Sequence, residues 1–384
     1  MSSLTVPLPK TDMAKSAPLT KIHALTSARF FAALYVVFFH TRWGVVRGSA
    51  LDRFLAVGYC SVTFFFLLSG YILGVVYLSQ GKPVAVRRFY VARFARIYPL
   101  YIASVLADTP FAVMARVAKY GLVGALTRVL ELFAVGSVML QIWMPMDTAV
   151  NIPSWSLGIE AIFYLSFPVL GPYLWKLRRG GLAATAAALY VMSIGLNLIL
   201  FHFRPSTIAG LLSPSYLAVF AIGILVARWQ SLDRESGTGL RDKSGASWAL
   251  LVLSCAGFAG VVWASPWLAQ HGFHFGLLLV PVFVAWVWLL SASRILPVRA
   301  LNAKWLVVLG EASFGLYLVQ TPVVHLFQVF HLASSAGDYP LYLGTCIGLS
   351  VVSFYYFETP ARQWILRRLH TRTKETMEAA SDAQ

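Results

Sequence analysis

Ten stretches of this 384-residue chain are long, apolar and nearly free of charge, at about 24–41, 54–80, 98–115, 155–175, 182–202, 206–227, 246–268, 274–293, 305–327 and 339–357. Each approaches the roughly 20 apolar residues that carry a helix across a bilayer. Only 12% of the residues are charged and 58% are hydrophobic, against a soluble norm of about 25% charged. The chain therefore reads as an all-α, polytopic membrane protein with about ten transmembrane helices. An eleventh candidate, 124–144, is apolar but interrupted by Arg128 and Glu131. If it spanned the bilayer, it would invert everything downstream.

Basic residues decide between the two topologies. With ten spans and a cytoplasmic N terminus, 23 of the 31 lysines and arginines fall in inside segments, 7 fall outside, and Arg29 lies within the first span. Cytoplasmic loops carry such an excess. The 124–144 segment is then expected to be re-entrant or to lie along the outer interface, which is allowed where protein covers its backbone. Residues 1–23 are polar, carry Lys10, Lys15 and Lys21, and show no cleavage site after a short apolar core. They are read as a cytoplasmic tail ahead of an uncleaved first helix. The longest hydrophilic connection, 229–245, is too short for a folded core, so 24–360 is expected to form one membrane domain and 361–384 a second cytoplasmic tail. The net charge of +16 is mostly topological; it suits anionic membrane lipid or a phosphorylated ligand, and nucleic acid is not an expected partner.

Ionisable residues inside apolar spans mark functional sites, because each costs about 2.5 to 3.5 kcal/mol on insertion scales. In ALTSARFFAALYVVFFHT, Arg29 and His40 lie eleven residues apart, which at about 100° per residue returns to within about 20° of one helix face. The competing reading is an arginine that snorkels and an interfacial histidine. Glu160 opens the fourth span from the outer side, at a depth similar to His40, where a carboxylate can orient an imidazole. In acyl transfer to a hydroxyl, neutral histidine removes the proton and the carboxylate fixes its tautomer. Glu160 could equally pair with Arg42 or cap its own helix. In VRRFYVARFARIYPLY, Arg87, Arg88, Arg93 and Arg96 crowd the cytoplasmic mouth of the third span. Guanidinium forks suit phosphates such as the nucleotide end of coenzyme A, although positive-inside residues are common there. Glu311 and Glu358 lie toward cytoplasmic helix ends, within reach of that cluster. Asp108, just before Pro110, is expected to satisfy backbone groups freed by the proline.

Cys60, Cys255 and Cys346 are scattered without metal spacing, and no HExxH, Walker loop, dinucleotide glycine pattern or cysteine pair is present. These features argue against metal, nucleotide-hydrolysis and redox chemistry, and no metal site is expected.

Six segments taken in order carry a resemblance. They are the Arg29 and His40 pair, FFFLLSGYIL from Phe64, RRFYVARFARIYPLY, NIPSWSLGIEAIFYLSFP from Asn151, LGEASFGLYLVQTPVV from Leu309 and SFYYFETPAR from Ser353. Over about 25–362 the chain resembles the bacterial acyltransferase-3 family of integral membrane O-acyltransferases, which modify hydroxyls of polysaccharides, lipid-linked sugars, macrolides and related glycans. The resemblance implies Arg29 and His40 as the essential pair, Arg93 and Arg96 as a cytoplasmic arginine motif, and Glu160 as the acidic residue after the tryptophan and serine. Two departures stand out: Gln320 occupies a position where many members carry histidine, and Glu160 is followed by Ala161 rather than by a second acid. His325 lies five residues beyond Gln320.

The expected enzyme sits in a bacterial inner membrane with both termini cytoplasmic. It moves a short acyl group, acetyl, from acyl-CoA, a donor substrate rather than a bound cofactor, to a sugar hydroxyl. His40, Arg29 and Glu160 form the catalytic set, and Arg93, Arg96 and Arg88 bind the donor. The rival is a transporter or flippase for a lipid-linked glycan, which would be expected to show internal repeats; none is evident in the sequence.

Overall fold

A computed structural model describes residues 22–145, 149–203, 209–236, 243–332 and 336–368. The sequence readings on 1–21 and 369–384 lie outside the described residues. The described residues form thirteen α-helices joined by short 3-10 and π turns, and contain no strand. In chain order they are α1 (His23–His40), α2 (Ala50–Ala56), α3 (Cys60–Leu73), α4 (Val86–Ser137), α5 (Trp155–Trp175), α6 (Arg179–His202), α7 (Ser213–Ser236), α8 (Ser244–Gln270), α9 (Phe275–Leu278), α10 (Val280–Ala292), α11 (Leu296–Ala300), α12 (Lys304–Val329) and α13 (Tyr339–Ser353). With their extending turns, eight helical segments among the described residues are long and apolar enough to cross a membrane. Two others occupy the expected first and eighth spans: α1, with 18 residues, and α9 running directly into the 13-residue α10.

The largest departure from the sequence reading is α4. It starts at Val86 rather than near 98, so Arg87, Arg88, Arg93 and Arg96 are helical residues rather than loop residues. It passes through Pro99 and Pro110 and breaks at Gly121, whose φ of 67° and ψ of 172° only glycine adopts readily. The second arm then folds back on the first: Tyr101 donates from its hydroxyl to the Gly136 carbonyl at 2.6 Å, and Tyr98 to that of Ser137 at 3.1 Å. The returning arm thus ends inside the depth of the bundle, as a re-entrant segment does. Arg128 and Glu131, which interrupt its apolar run, pair with each other at 2.8 Å on its exposed side. At the other end of the chain, α13 continues through a π turn, Phe354–Glu358, to Arg368, past the boundary expected at 361.

Helices α3 and α7 are the most buried, and α6 and α8 the least, so the former pair forms the centre and the latter its rim. Between membrane helices close packing replaces the hydrophobic drive, and small residues let backbones approach. A Cβ on Gly70 would lie 1.9 Å from the Phe220 carbonyl oxygen, and one on Gly223 would lie 2.1 Å from that of Leu67. Phe163 stacks on Phe220 at 4.7 Å and receives the edge of Phe66 at 5.0 Å, which ties α5 to this pair. Gly70→Ala or Gly223→Ala is accordingly expected to cost at least about 1 to 3 kcal/mol, the usual range for overpacking. It should appear as a lower melting temperature in detergent, with Gly260→Ala, which faces open space, as the unaffected control.

Candidate active site

Residues of α1, α3, α5, α7, α10, α12 and the first arm of α4 line a cavity of about 1290 Å³. Its charged lining includes Arg29, Arg93, Arg96, Arg234, Arg294 and Arg362, opposed by Glu160, Asp233 and Glu311. Arg29 feels the charges of Arg96, Glu358 and Glu160. Arg93 places its guanidinium carbon 5.8 Å from the ring centres of both Tyr77 and Tyr164, while its buried Nε has no hydrogen-bond partner. Arg96 lies 3.7 Å from Glu358, whose side chain is buried, so the sequence reading of Glu358 beside the arginines matches the geometry. Arg88 differs: it is exposed and lies outside the cavity lining, because the helical repeat turns it away from Arg93 and Arg96.

The cavity's far wall is polar and braced by the NIPSWS segment. Tyr317 of α12 donates from its hydroxyl to the Pro153 carbonyl at 2.8 Å and meets the Ser156 hydroxyl at 2.8 Å. Asn151 donates through Nδ2 to the Leu318 carbonyl at 3.1 Å. One turn further along α12, Gln320 donates through Nε2 to the Tyr317 carbonyl at 2.8 Å, which leaves its Oε1 facing His40 Nδ1 at 3.0 Å. An amide oxygen only accepts, so the imidazole proton sits on Nδ1 and Nε2 is left as the basic nitrogen. The contact depends on close approach of α1 and α12, since a Cβ on Gly310 would lie 2.0 Å from the Thr26 carbonyl oxygen.

Two sequence readings are corrected here. Glu160 does not take the orienting place beside His40: its Oε1 accepts from the Ser69 hydroxyl at 3.3 Å and from Tyr164 at 2.5 Å, on the cavity wall. Arg42 pairs instead with Asp52 at 3.0 Å. The partner of His40 is Gln320, the residue at which the chain departs from the histidine of many family members. Arg29 lies in the N-terminal half of α1 and His40 is its last residue, about 16 Å apart along the axis, with Arg29 in the cavity and His40 beyond its far wall. Tyr164 could have been found from sequence, since it stands four residues after Glu160 on the same helix face. Gln320 has no such signal, because its role depends on a contact 280 residues away in the chain.

Gln320→Leu keeps the buried volume and removes the acceptor that fixes the His40 tautomer. Turnover is expected to fall about 100-fold, with unchanged melting temperature as the control for folding. Activity within a factor of two of wild type would show that the contact does not matter.

Ten helical segments, several of them lining a basic cavity with an oriented imidazole beyond its far wall, define a polytopic membrane protein with a polar site inside the bundle. The chain belongs to the acyltransferase-3 family, whose model, described as an acyltransferase domain, matches residues 22–357. It is thus an acyltransferase, which sets the transporter reading aside. Among its relatives, acyltransferase MdmB of Streptomyces mycarofaciens is 28% identical over 327 residues, covering 80% of each chain. O-acetyltransferase OatA of Staphylococcus aureus is 22% identical over 375 residues, covering 88% of this chain and 57% of its own. YrhL of Bacillus subtilis, whose peptidoglycan O-acetyltransferase name is provisional, is 26% identical and covers 89% and 55%. The chain therefore spans little more than half the length of the latter two. No solved structure matches it.

Proposed function

We propose that the protein transfers a short acyl group, acetyl, from acyl-CoA entering on the cytoplasmic side to a hydroxyl of a polysaccharide, lipid-linked sugar or related glycan, in a bacterial inner membrane with both chain ends cytoplasmic. One observation carries this reading: His40 holds its Nδ1–H against Gln320 and keeps Nε2 open, at the end of α1 opposite the arginine-lined cavity. Nε2 takes the proton of the acceptor hydroxyl as its oxygen attacks the thioester carbonyl. The tetrahedral adduct collapses, the C–S bond breaks, and the imidazolium returns the proton to the departing thiolate. Arg29 lies too deep to touch the reacting atoms, so with Arg93 and Arg96 it binds phosphate oxygens of the donor. Glu160, tied to Ser69 and Tyr164, keeps that wall polar and offsets the arginine charge. The name of YrhL, which specifies peptidoglycan, supports a glycan acceptor, and that of OatA supports O-acetyl transfer.

The test is purified protein in liposomes supplied with labelled acetyl-CoA and a panel of soluble glycans. Label should appear on glycan as free coenzyme A accumulates. An intact thioester with every glycan tried would overturn the proposal.

A further inference from the structure

A second imidazole stands at the same end of the bundle as His40. Asp108 of α4 is fully buried, and its Oδ1 accepts from His325 Nδ1 at 2.7 Å. The sequence reading assigned Asp108 to backbone groups near Pro110, whereas the structure gives it a side chain from α12. Asp108 lies 22 residues along α4 from Val86 and His325 lies 21 along α12 from Lys304, about 33 and 31 Å at 1.5 Å per residue. Both therefore lie a membrane's hydrocarbon thickness away from the cytoplasmic ends, opposite the arginine cavity.

The pair has the character of a recognition group rather than a staple between helices. A staple would enclose both partners, yet the His325 side chain remains 33% exposed beside the buried carboxylate. The Phe111 ring, 5.8 Å from the imidazole, flanks it. Asp108 Oδ2 is buried without a partner, a costly arrangement in a membrane span unless the charge has a use. In the neutral imidazole, a carboxylate on Nδ1 fixes the proton there and leaves Nε2 as an acceptor, which pairs with a donor such as a hydroxyl. His325 lies five residues from Gln320, about 7.5 Å along α12 and about 140° around it. It therefore addresses a different atom from the one His40 deprotonates.

We propose that His325, positioned by Asp108, is part of an acceptor subsite and receives a hydrogen bond from a hydroxyl next to the one that is acylated. The natural acceptor is then a polyol with at least two free hydroxyls in reach of this face. This inference rests on the glycan-acceptor reading above.

The experiment uses the full chain in liposomes with labelled acetyl-CoA, the glycan that wild type acetylates best from the panel, and singly deoxygenated forms of that glycan. His325→Phe keeps a flat ring beside Phe111 and removes the acceptor nitrogen. It is expected to raise the glycan KM about tenfold, the worth of one hydrogen bond, with kcat and the acetyl-CoA KM within about a factor of two. One deoxygenated glycan should cost wild type about tenfold and cost the variant nothing further, a coupling that a merely structural histidine would not produce. His325→Gln, which retains an acceptor oxygen, should recover part of the loss and decides the matter if His325→Phe does not fold. An unchanged glycan KM, a fall in kcat alone, or equal penalties for every deoxygenated glycan in both proteins would overturn the proposal. If wild type acetylates no glycan, the parent reading fails and this one falls with it; if wild type transfers and His325→Phe behaves identically, only this one fails.

Discussion

His40→Gln is expected to insert, fold and purify like the wild type, and to transfer acetyl at least about 100-fold more slowly. The imidazole is exposed at the end of α1, so it contributes little packing. Glutamine can still hydrogen bond with Gln320, and the packing of α1 on α12 at Gly310 and Thr26 is untouched. What disappears is the basic nitrogen, and a positioned general base contributes about 100- to 10,000-fold. The acetyl-CoA KM should stay near wild type, because the arginine cavity lies at the other end of the helix. The decisive measurement is single-turnover acetyl transfer at saturating acetyl-CoA. A rate above a tenth of wild type would remove His40 from the chemistry and leave it as an interfacial residue.

The helices were legible because membrane spans are local: an apolar run of the right length becomes a helix whatever its neighbours do. Hence α1, α5, α6, α8, α12 and α13 begin within a few residues of their predicted starts. The start of α4 was misplaced because a cluster of arginines ends an apolar window without ending a helix. The return of its second arm depends on the positive φ of Gly121 and on two tyrosine hydroxyls. The site was legible as a set of unusual residues but not as a set of pairs. His40, Glu160 and Asp108 all stood out as ionisable groups in apolar surroundings, yet each has a partner that sequence did not assign to it: Gln320, Ser69 with Tyr164, and His325. Depth along a helix follows from counting residues. Rotation about it, which decides whether Glu160 faces His40 or the cavity, follows from how the helices pack.

The arginine cavity, proposed above as the donor site, provides the second large effect. Arg93→Ala with Arg96→Ala is expected to raise the acetyl-CoA KM by about 100-fold or more and to leave the glycan KM near wild type. A hydrogen bond to a charged group is worth about 1.5 to 3 kcal/mol, roughly 10- to 150-fold for each arginine that meets a phosphate. Arg93 is held between two tyrosine rings and keeps a buried Nε without a partner, as a guanidinium awaiting an anion would. Arg96 is 3.7 Å from Glu358, a length at which a phosphate can compete for it. Lysine should substitute poorly at both positions, because an ammonium lacks the planar fork. Arg88→Ala provides the internal contrast. It removes an equal charge from the same helix but from outside the cavity lining, so it should leave the acetyl-CoA KM unchanged. Calorimetric titration with coenzyme A separates the two accounts: a selective loss in the double variant supports a donor site. If all three arginines weaken binding alike, the cluster acts only as a general basic field, and if none does, it reports topology.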